Sequence, residues 1–373
     1  MRPVTNEVRL GIAGVGNIGT AHGRSVLEGK AAGMRLVAVS DGNAARLGAG
    51  AEVKVFGKSP EMIRSGEVDA VLVATPHFSH TSIGIDALEH GLHLLLEKPI
   101  SVHKLDCERL IAAHNGREGQ VFAAMFNQRT DPFYVKIREM IRGGELGEIR
   151  RIQWTITDWF RTGAYYASGG WRATWAGEGG GILLNQCPHN LDLFQWMFGM
   201  PARVRAFCGF GRYHDIEVED DVTAYMEFAN GATAVFIATT GEAPGTNRLE
   251  IAAERGRVVY ENDQLTFTRN EAPMSEFSRS ATEGFAKPAA EVVVLPISDH
   301  GMQHIGILRN FAGAILKGAP LIAPAEEGIH SVELANAMLY STFTGKTVEL
   351  PLDGAAYERH LQELIATSRA TKS

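Results

Sequence analysis

Short apolar runs alternate with helix-length segments over the first third of the chain. The apolar runs lack the polar alternation of a half-exposed strand, which is typical of parallel strands buried on both faces. We predict five such strands, at Val8–Ala13, Arg35–Ser40, Ala70–Ala74, Leu92–Leu96 and Val121–Ala124. Helices are predicted between them, several ending at a glycine, at Thr20–Gly29, Asn43–Gly50, His80–Gly91 and Lys104–Gly116. This alternation predicts consecutive βαβ units and a doubly wound parallel sheet.

After a predicted helix at Pro132–Arg142, longer strands follow one another with few helices between them. We predict strands at Glu148–Trp159, Val204–Gly211, Val222–Phe228, Thr233–Thr240, Arg248–Ala253, Val258–Tyr260, Leu265–Thr268, Glu291–Leu295 and Thr347–Leu350. Helices are predicted at Ile182–Phe198, Met302–Leu316, Ala325–Thr342 and Tyr357–Thr367. The fold class is therefore α/β, with an N-terminal Rossmann domain (1–127) and a C-terminal α+β domain (128–373) built on a mostly antiparallel, open sheet.

Composition and charge exclude several classes of protein. The 373 residues are 45% hydrophobic and 21% charged, with a net charge of -7, so the chain lacks the basic surface that nucleic-acid binding requires. The three cysteines have no disulfide or zinc spacing, and neither a signal peptide nor a membrane span is visible. We therefore expect a cytoplasmic protein. Both faces of the strand Thr233–Thr240 are apolar, from which we expect a homodimer or homotetramer.

A glycine-rich motif follows the first strand directly. Gly14-Val15-Gly16-Asn17-Ile18-Gly19 matches the G-x-G-x-x-G pattern in its strand-turn-helix context, where a glycine turn without a ligand is the alternative. Gly14 permits the tight turn, Gly16 lets the backbone approach a pyrophosphate, and Gly19 lets the helix pack closely. The motif predicts a dinucleotide site.

Asp41 follows the second strand, roughly twenty residues beyond the motif, where an acidic side chain binds the adenine ribose hydroxyls. Its charge would repel a 2′-phosphate, and Arg46 is the nearest cation that could offset it. We therefore predict NAD as the cofactor and keep NADP as the less favoured alternative. Asp41 could also be only a helix N-cap.

Polar residues follow the fourth and third of the predicted strands, at the edge where open parallel sheets bind ligands. Glu97-Lys98-Pro99 follows one of them and Thr75-Pro76-His77 the other. The proline would hold the Lys98 ammonium near a cofactor cleft, although taken alone an ordinary surface lysine is the more common case.

In the second half, a glycine run leads into the predicted helix Ile182–Phe198. Asn185, His189 and Asp192 would share one face of an unbroken helix, but Pro188 either starts that helix or kinks it. His189 alone could be a core histidine as readily as a functional one. Cys187, His189 and Asp192 could imitate a metal site, but we expect no metal because the ligands are few.

Taken together, these residues resemble the Gfo/Idh/MocA family of NAD(P)-dependent sugar and polyol oxidoreductases over essentially the whole chain. The motifs that carry the resemblance occur in the family's order: the glycine motif, Thr75-Pro76-His77 with His80, Glu97-Lys98-Pro99, Asn127-Gln128-Arg129, and the glycine run leading to His189. The resemblance implies a cofactor site formed by Gly14, Gly16, Asn17, Ile18, Gly19, Asp41, Thr75, Pro76, His77, His80, Glu97, Lys98 and Asn127.

The resemblance also implies that Lys98 is catalytic, that the Lys98–Pro99 bond is cis, and that His189 is the acid/base. Inositol-dehydrogenase-like members carry aspartate four residues before the histidine, and here Asn185 stands there without a charge, which leaves the proton route open. The loop Trp159–Tyr166 with Trp171-Arg172 is similar to the family's substrate loop. We expect the substrate to contact Lys98, Tyr165, Trp171, Arg172, Asn185 and His189.

The expected reaction moves hydride from a secondary alcohol of a sugar, polyol or sugar derivative to the nicotinamide. His189 would accept the hydroxyl proton, with Lys98 and Asn185 beside it. Two alternatives remain: redox-neutral, NAD-dependent glycoside cleavage, and a non-catalytic sensor that binds the dinucleotide.

Overall fold

The computed structural model describes residues 6–41, 44–48 and 52–369. Its N-terminal part contains six strands, β1 (Val8–Ala13), β2 (Met34–Ser40), β3 (Lys54–Phe56), β4 (Ala70–Val73), β5 (His93–Leu96) and β6 (Phe122–Ala124). The helices between them are α1 (Asn17–Leu27), α2 (Ser59–Arg64), α3 (Phe78–Glu89) and α4 (Lys104–His114). All strand pairs are parallel, in the order β3-β2-β1-β4-β5-β6. This is the doubly wound order of a Rossmann domain, so the predicted fold is confirmed.

Two local predictions in this domain were wrong. The strand β3 and the helix α2 were not predicted, because β3 has only three residues and lies at the exposed edge of the sheet, where Val55 is 62% exposed. The helix expected at Asn43–Gly50 is a short 3-10 helix, Ala44–Leu47, in its described part. Gly48 follows it with φ at +62°, outside the helical region, and the remaining residues of that prediction lie outside the described ranges.

The second sheet has nine strands in the order β14-β13-β12-β11-β7-β10-β9-β8-β15. The strands are β7 (Ile149–Ile156), β8 (Arg203–Phe210), β9 (Glu219–Glu227), β10 (Thr233–Thr239), β11 (Asn247–Ala253), β12 (Gly256–Glu261), β13 (Gln264–Asn270), β14 (Ala290–Leu295) and β15 (Val348–Glu349). All neighbouring strands are antiparallel except β7 and β10, which run parallel. The mostly antiparallel sheet is confirmed.

The helices of this second part are α5 (Pro132–Arg142), α6 (Gly163–Tyr166), α7 (Ile182–Asn185), α8 (Pro188–Phe198), α9 (Met274–Ser280), α10 (Gln303–Lys317), α11 (Gly328–Thr344) and α12 (Gly354–Ala366). Of these, α5, α7, α8, α11 and α12 contribute buried residues to the core of the second sheet. Of the two alternatives left open at Pro188, the structure has the start of a helix, so α7 and α8 are two helices and not one kinked helix. The chain breaks between α7 and α8 because Pro188, in the first turn of α8, has no N–H to continue the earlier helix.

Each sheet has its own hydrophobic core, and C-terminal helices contribute residues to both cores. Ile307, Leu308 and Phe311 of α10 are buried against the strands of the N-terminal sheet, together with Val332 from α11. Two residues further along α11, Leu334 packs into the core of the second sheet instead. The core of the N-terminal domain is therefore completed by residues that follow β14 in sequence. None of the helices in the described ranges has the length and apolarity needed to cross a membrane.

Candidate active site

The glycine loop between β1 and α1 is shaped by close backbone contacts. Gly14 has φ at +90°, and a Cβ there would lie 2.6 Å from the Ala74 carbonyl oxygen. A Cβ on Gly19 would lie 2.0 Å from the carbonyl oxygen of Gly14, so neither position accepts a side chain. At Gly16, by contrast, a Cβ would meet no described atom within 4 Å. The loop is therefore closely packed at Gly14 and Gly19, while at Gly16 it faces open space.

Gly16 is also the N-cap of α1, and no side chain of the described residues caps that helix. The N–H groups of its first turn therefore remain available for an anion. Asp41, directly after β2, accepts a hydrogen bond from the Val15 N–H with an Oδ2 distance of 2.6 Å. A carboxylate at this distance from the helix start suits the ribose of a dinucleotide whose phosphates bind α1, so these residues fit NAD.

The ends of β4 and β5 are tied together by His80. Its Nδ1 lies 2.8 Å from the Pro99 carbonyl oxygen, and its Nε2 lies 2.8 Å from that of Thr75. Burial lowers the pKa of His80, and a neutral ring donates to only one of the two carbonyls. His77 stands at the start of α3, where burial and the neighbouring His80 and Lys98 lower its pKa to about 3. These two histidines line the site at the ends of β4 and β5.

Glu97 is a buried carboxylate with a defined partner on each oxygen. Oε1 lies 2.6 Å from Nε2 of His22, and Oε2 accepts the Lys98 N–H at 3.1 Å. Burial would raise the pKa of Glu97, but His22, Lys98 and His304 lower it to about 2. His22 was not selected in the sequence analysis. The only indication of its role was that a histidine lies in the second turn of α1, three residues after Gly19.

The Lys98 side chain reaches from the N-terminal sheet into the second domain. Its ammonium donates a hydrogen bond to the backbone carbonyl oxygen of Asn185, 2.8 Å away. Burial lowers the pKa of Lys98, while the carboxylates of Glu97 and Glu178 oppose this shift. The Lys98–Pro99 peptide bond is cis. Lys98 is therefore placed beside α7, on the side where a substrate would lie.

His189, in the first turn of α8, faces the same space. Burial and the nearby Lys98 charge lower the pKa of His189 to about 3, so the imidazole is neutral near pH 7. Its Nδ1 is buried and has no hydrogen-bond partner among the described residues. Phe126 contacts the ring edge-on, with centroids 6.5 Å apart. A neutral imidazole in this position can accept a proton.

Asn185 is bound to a carboxylate that the sequence did not reveal. Its Nδ2 donates a short hydrogen bond to Oε1 of Glu178, whose Oε2 accepts the Ala173 N–H at 2.5 Å. Burial raises the pKa of Glu178, and the hydrogen bonds and Arg172 act against that shift. The only sequence signal was a single acid inside the run Gly177–Gly181. Asn185 itself has no carboxylate, but its hydrogen-bond partner Glu178 brings one to the same place.

Two predicted neighbours lie elsewhere. Asp192 does not join Asn185 and His189, because its carboxylate forms a buried, bidentate ion pair with Arg129 at 2.6 and 2.8 Å. The helix break separates only Asn185 from the other two residues; within α8, the pairing with Arg129 is what takes the Asp192 carboxylate away from His189. Asn127 donates to Oε1 of Gln303 at 2.7 Å and does not line the cleft described below.

One group in the described ranges has metal-ligand spacing: His103, Asp106 and Glu358. Arg109 donates to both of its carboxylates, at 2.6 and 2.9 Å, and so already provides a positive charge there. None of these residues lines the cleft.

The remaining site residues enclose one cleft of about 890 Å³, which we call the central cleft. Of the predicted residues, those that line it are Gly14, Gly16, Asn17, Ile18, Asp41, Thr75, Pro76, His77, His80, Glu97, Lys98, Trp171, Arg172, Asn185 and His189. Gly19 lies behind the loop, and Tyr165 reaches the cleft residues through hydrogen bonds with Arg172 at 2.8 Å and Asn185 at 3.4 Å. Trp159, Arg161 and His304 also line the cleft.

A Rossmann domain whose helix start and acidic strand end open into the same cleft as a partly buried lysine and histidine defines a two-domain, dinucleotide-dependent oxidoreductase. Comparison with known families agrees with this class. The model of the oxidoreductase family with an NAD-binding Rossmann fold matches residues 8–125, and that of the GFO/IDH/MocA C-terminal domain matches residues 134–259. The chain belongs to the GFO/IDH/MocA family of oxidoreductases.

Individual relatives include inositol 2-dehydrogenase of Rhizobium meliloti, 25% identical over 92% of this chain and 99% of that protein. Inositol 2-dehydrogenase 1 of Saccharopolyspora erythraea is 35% identical, but the match spans only 38% of this chain and 43% of that protein. Among solved structures, the WlbA dehydrogenase of Chromobacterium violaceum, in complex with NADH and UDP-GlcNAcA, has a TM-score of 0.80 at 25% identity, covering 95% of this chain and 99% of that one. Levoglucosan dehydrogenase with NADH and levoglucosan has a TM-score of 0.76 at 21% identity, covering 92% and 100%, and shares the fold.

Proposed function

We propose that this protein oxidises a secondary alcohol of a sugar, a polyol or a sugar derivative, with NAD as the hydride acceptor. The observation that carries the proposal is the meeting of the Lys98 ammonium, the His189 imidazole and Asn185 in the cleft that begins at the glycine loop. The names of the relatives support it, since they include inositol 2-dehydrogenases and a levoglucosan dehydrogenase.

The N-terminal domain would hold the cofactor. The first turn of α1 would bind the pyrophosphate, Asp41 the adenine ribose, and Thr75, Pro76 and His77 the stretch toward the nicotinamide. NAD, when bound, supplies the hydride-accepting carbon. The charge of Asp41 supports NAD over NADP, because a 2′-phosphate would approach a carboxylate that already binds the Val15 N–H.

The residues that would handle the proton of the substrate hydroxyl lie where the cleft meets the second domain. His189 is neutral near pH 7 and would accept the proton of the substrate hydroxyl as the C–H bond breaks. The Lys98 ammonium would stabilise the negative charge that develops on the same oxygen, and its bond to the Asn185 carbonyl holds it in position.

The test is NADH formation by purified protein on inositols, aldoses, alditols and glycosides, compared between wild type, Lys98→Ala and a control, Lys54→Ala. Lys54 is an exposed lysine that pairs with Glu67, so its loss should leave turnover unchanged. We expect Lys98→Ala to slow turnover by about 10² to 10⁴ while NAD still binds.

The two alternatives have different outcomes in this assay. Glycoside cleavage without net NADH would indicate the redox-neutral reaction, because that reaction returns the hydride to the substrate. NAD binding without conversion of any compound would indicate a sensor. Equal turnover by wild type and Lys98→Ala would contradict the proposed role of the lysine.

We also propose that the protein associates with itself through the uncovered face of the second sheet. Val235 and Ile237 of β10 point to that face and are only partly buried, while Ala234 and Phe236 point into the core. Phe207 and Tyr225 are 61% and 43% exposed on neighbouring strands. An apolar sheet face of this kind favours a dimer or tetramer, which light scattering would distinguish from a monomer.

A further inference from the structure

Two arginines line the substrate side of the central cleft without a close ion-pair partner. In the described ranges, no carboxylate oxygen lies within 4.0 Å of the Arg161 side-chain nitrogens, and Arg172 reaches only Glu178, at 3.9 Å. The Nε atoms of both arginines are buried and lack an acceptor among those same residues. Buried N–H groups are rarely left unpaired in native proteins. These two therefore indicate a missing acceptor.

Arg161 is held in place by two aromatic rings and by backbone hydrogen bonds. Its guanidinium lies 5.3 Å from the ring centroid of Trp159 and 5.1 Å from that of Tyr165. Its NH1 donates to the Phe160 carbonyl oxygen at 2.9 Å. Its own carbonyl oxygen lies 2.9 Å from Nε2 of His214. A side chain fixed in this way loses little further freedom when it binds a ligand.

Arg172 contacts the same ring. Its guanidinium lies 4.5 Å from the Tyr165 centroid, and its NH1 donates to the Tyr165 hydroxyl oxygen at 2.8 Å. Glu178 cannot offset both cations, because one carboxylate carries at most one negative charge. Two guanidinium groups that lie 5.1 and 4.5 Å from the centroid of one tyrosine ring therefore form a cationic surface.

The rest of the substrate side adds positive charge. Lys98 also lines the cleft, where the carboxylates of Glu97 and Glu178 act on it, so that three cations, Lys98 and the two arginines, face two carboxylates. Burial lowers the pKa of Lys98, and Arg161 contributes to the lowering. A neutral polyol would leave this cationic surface uncompensated, whereas an anion would form charge-assisted hydrogen bonds with it.

We propose that the substrate is an anionic sugar, whose carboxylate or phosphate binds Arg161 and Arg172 while a neighbouring carbinol faces His189 and Lys98. The inference rests on the proposed function. The carbinol C–H bond breaks, its hydride goes to NAD, the O–H proton goes to His189, and a ketone forms while the anionic group is unchanged. The pyrophosphate of NAD would bind instead at α1, in the other domain.

The test compares matched compounds that differ in the anionic group: D-glucuronate, D-glucose 6-phosphate and D-glucose, and likewise D-gluconate and D-glucitol. NADH formation is measured for wild type, Arg161→Gln, Arg161→Lys and a control, Arg138→Gln. Arg138 also stacks on a tryptophan, 4.0 Å from the Trp196 centroid, and donates to a backbone carbonyl, but it lies outside the cleft. Binding of the same compounds to the NAD-loaded protein is measured separately by calorimetry.

We expect at least one acid or phosphate to exceed its neutral counterpart in kcat/KM by about 30-fold or more, the loss that follows when one partner of a buried ion pair is removed. Arg161→Gln should remove most of this preference by raising KM, Arg161→Lys should keep part of it, and the NAD affinity should not change. Arg138→Gln should behave as wild type. A preference for the carboxylate over the phosphate, or the reverse, identifies the anion.

Oxidation of neutral compounds without any preference for an anion would overturn this inference and leave the proposed function standing. A preference that survives in Arg161→Gln would overturn it as well. Anion binding that depends on Arg161 but gives no NADH with any compound would contradict the dehydrogenase function while supporting the anion site.

Discussion

The ammonium of Lys98 donates its hydrogen bond to the backbone carbonyl oxygen of Asn185, not to its side chain. The contact therefore does not depend on which residue occupies position 185. The asparagine that stands here, where the resemblance to inositol dehydrogenases implies an aspartate, therefore still leaves the lysine held in place. The amide of Asn185 instead serves Glu178, which supplies a carboxylate to the same group of residues.

Replacing Asn185 with aspartate should impair the protein. Asn185→Asp would place two carboxylates in contact and remove the donor to Glu178, so kcat/KM should fall by about tenfold or more near pH 8. Lowering the pH should restore part of the activity, because a carboxyl group that takes up the shared proton can donate again. The measurement is kcat/KM against pH.

The double variant Glu178→Gln/Asn185→Asp provides the control. A glutamine at 178 can donate to the new aspartate with its NH₂ while its oxygen still accepts the Ala173 N–H. We expect recovery to within roughly threefold of wild type, as a coupled pair should show in a double-mutant cycle. Additive losses in the double variant would contradict this coupling.

Asp41 should determine the choice of cofactor through its charge. Asp41→Asn keeps an acceptor for the Val15 N–H but removes the repulsion of a 2′-phosphate. We expect the ratio of kcat/KM for NADP to that for NAD to rise about tenfold or more. Asp41→Ala, which loses the acceptor too, should weaken the binding of both cofactors. An unchanged ratio in Asp41→Asn would show that the charge does not discriminate.

The glycine loop offers a matched pair of variants. Gly16→Ala places a methyl group in open space in front of the loop, so the protein should stay folded and lose about tenfold or more in NAD affinity. Gly19→Ala places one 2.0 Å from the Gly14 carbonyl oxygen, so the backbone must move and Tm should fall by roughly 4 °C or more. Thermal unfolding measures the stability of each variant, and NAD titration measures its cofactor affinity. Equal losses of Tm in Gly16→Ala and Gly19→Ala would contradict the different roles of the two glycines.

His189 should not produce a pH limb near its ordinary pKa. Because its pKa is lowered to about 3, the neutral form that accepts a proton is present above that pH and is lost only as the pH falls through it. Between about pH 5 and 8, kcat/KM should therefore show no fall that disappears in His189→Ala. His189→Ala should itself be slower by about 10² to 10⁴. An acid limb near 6.5 present only with His189 would contradict the lowered pKa, whereas unchanged turnover in His189→Ala would contradict the role of His189 as the base.

Much of the fold was readable because its signals are local. The alternation of buried runs and helices predicted the parallel sheet, and Asn230-Gly231 marks the turn between β9 and β10, where Gly231 has φ at +87°. The edge strand β3 was not predicted, because an exposed strand of three residues has too little hydrophobic pattern to be detected. The break between α7 and α8 was visible in Pro188, but the sequence left open whether that residue bends a helix or begins one.

The glycine loop, Asp41 and Lys98 could be located from the sequence alone, because each directly follows a buried strand, whereas His189 could be located only at a helix whose start was left open. Which residues surround them depends on the tertiary packing. Glu178 and Arg161 belong to irregular segments, and the partners of such residues are set by the packing of distant elements. Asp192 shows the same point in reverse, since Arg129, from before the second sheet, takes the carboxylate that helical spacing had placed beside His189. Burial and pairing across the fold, and not spacing along the chain, decide where such charges point.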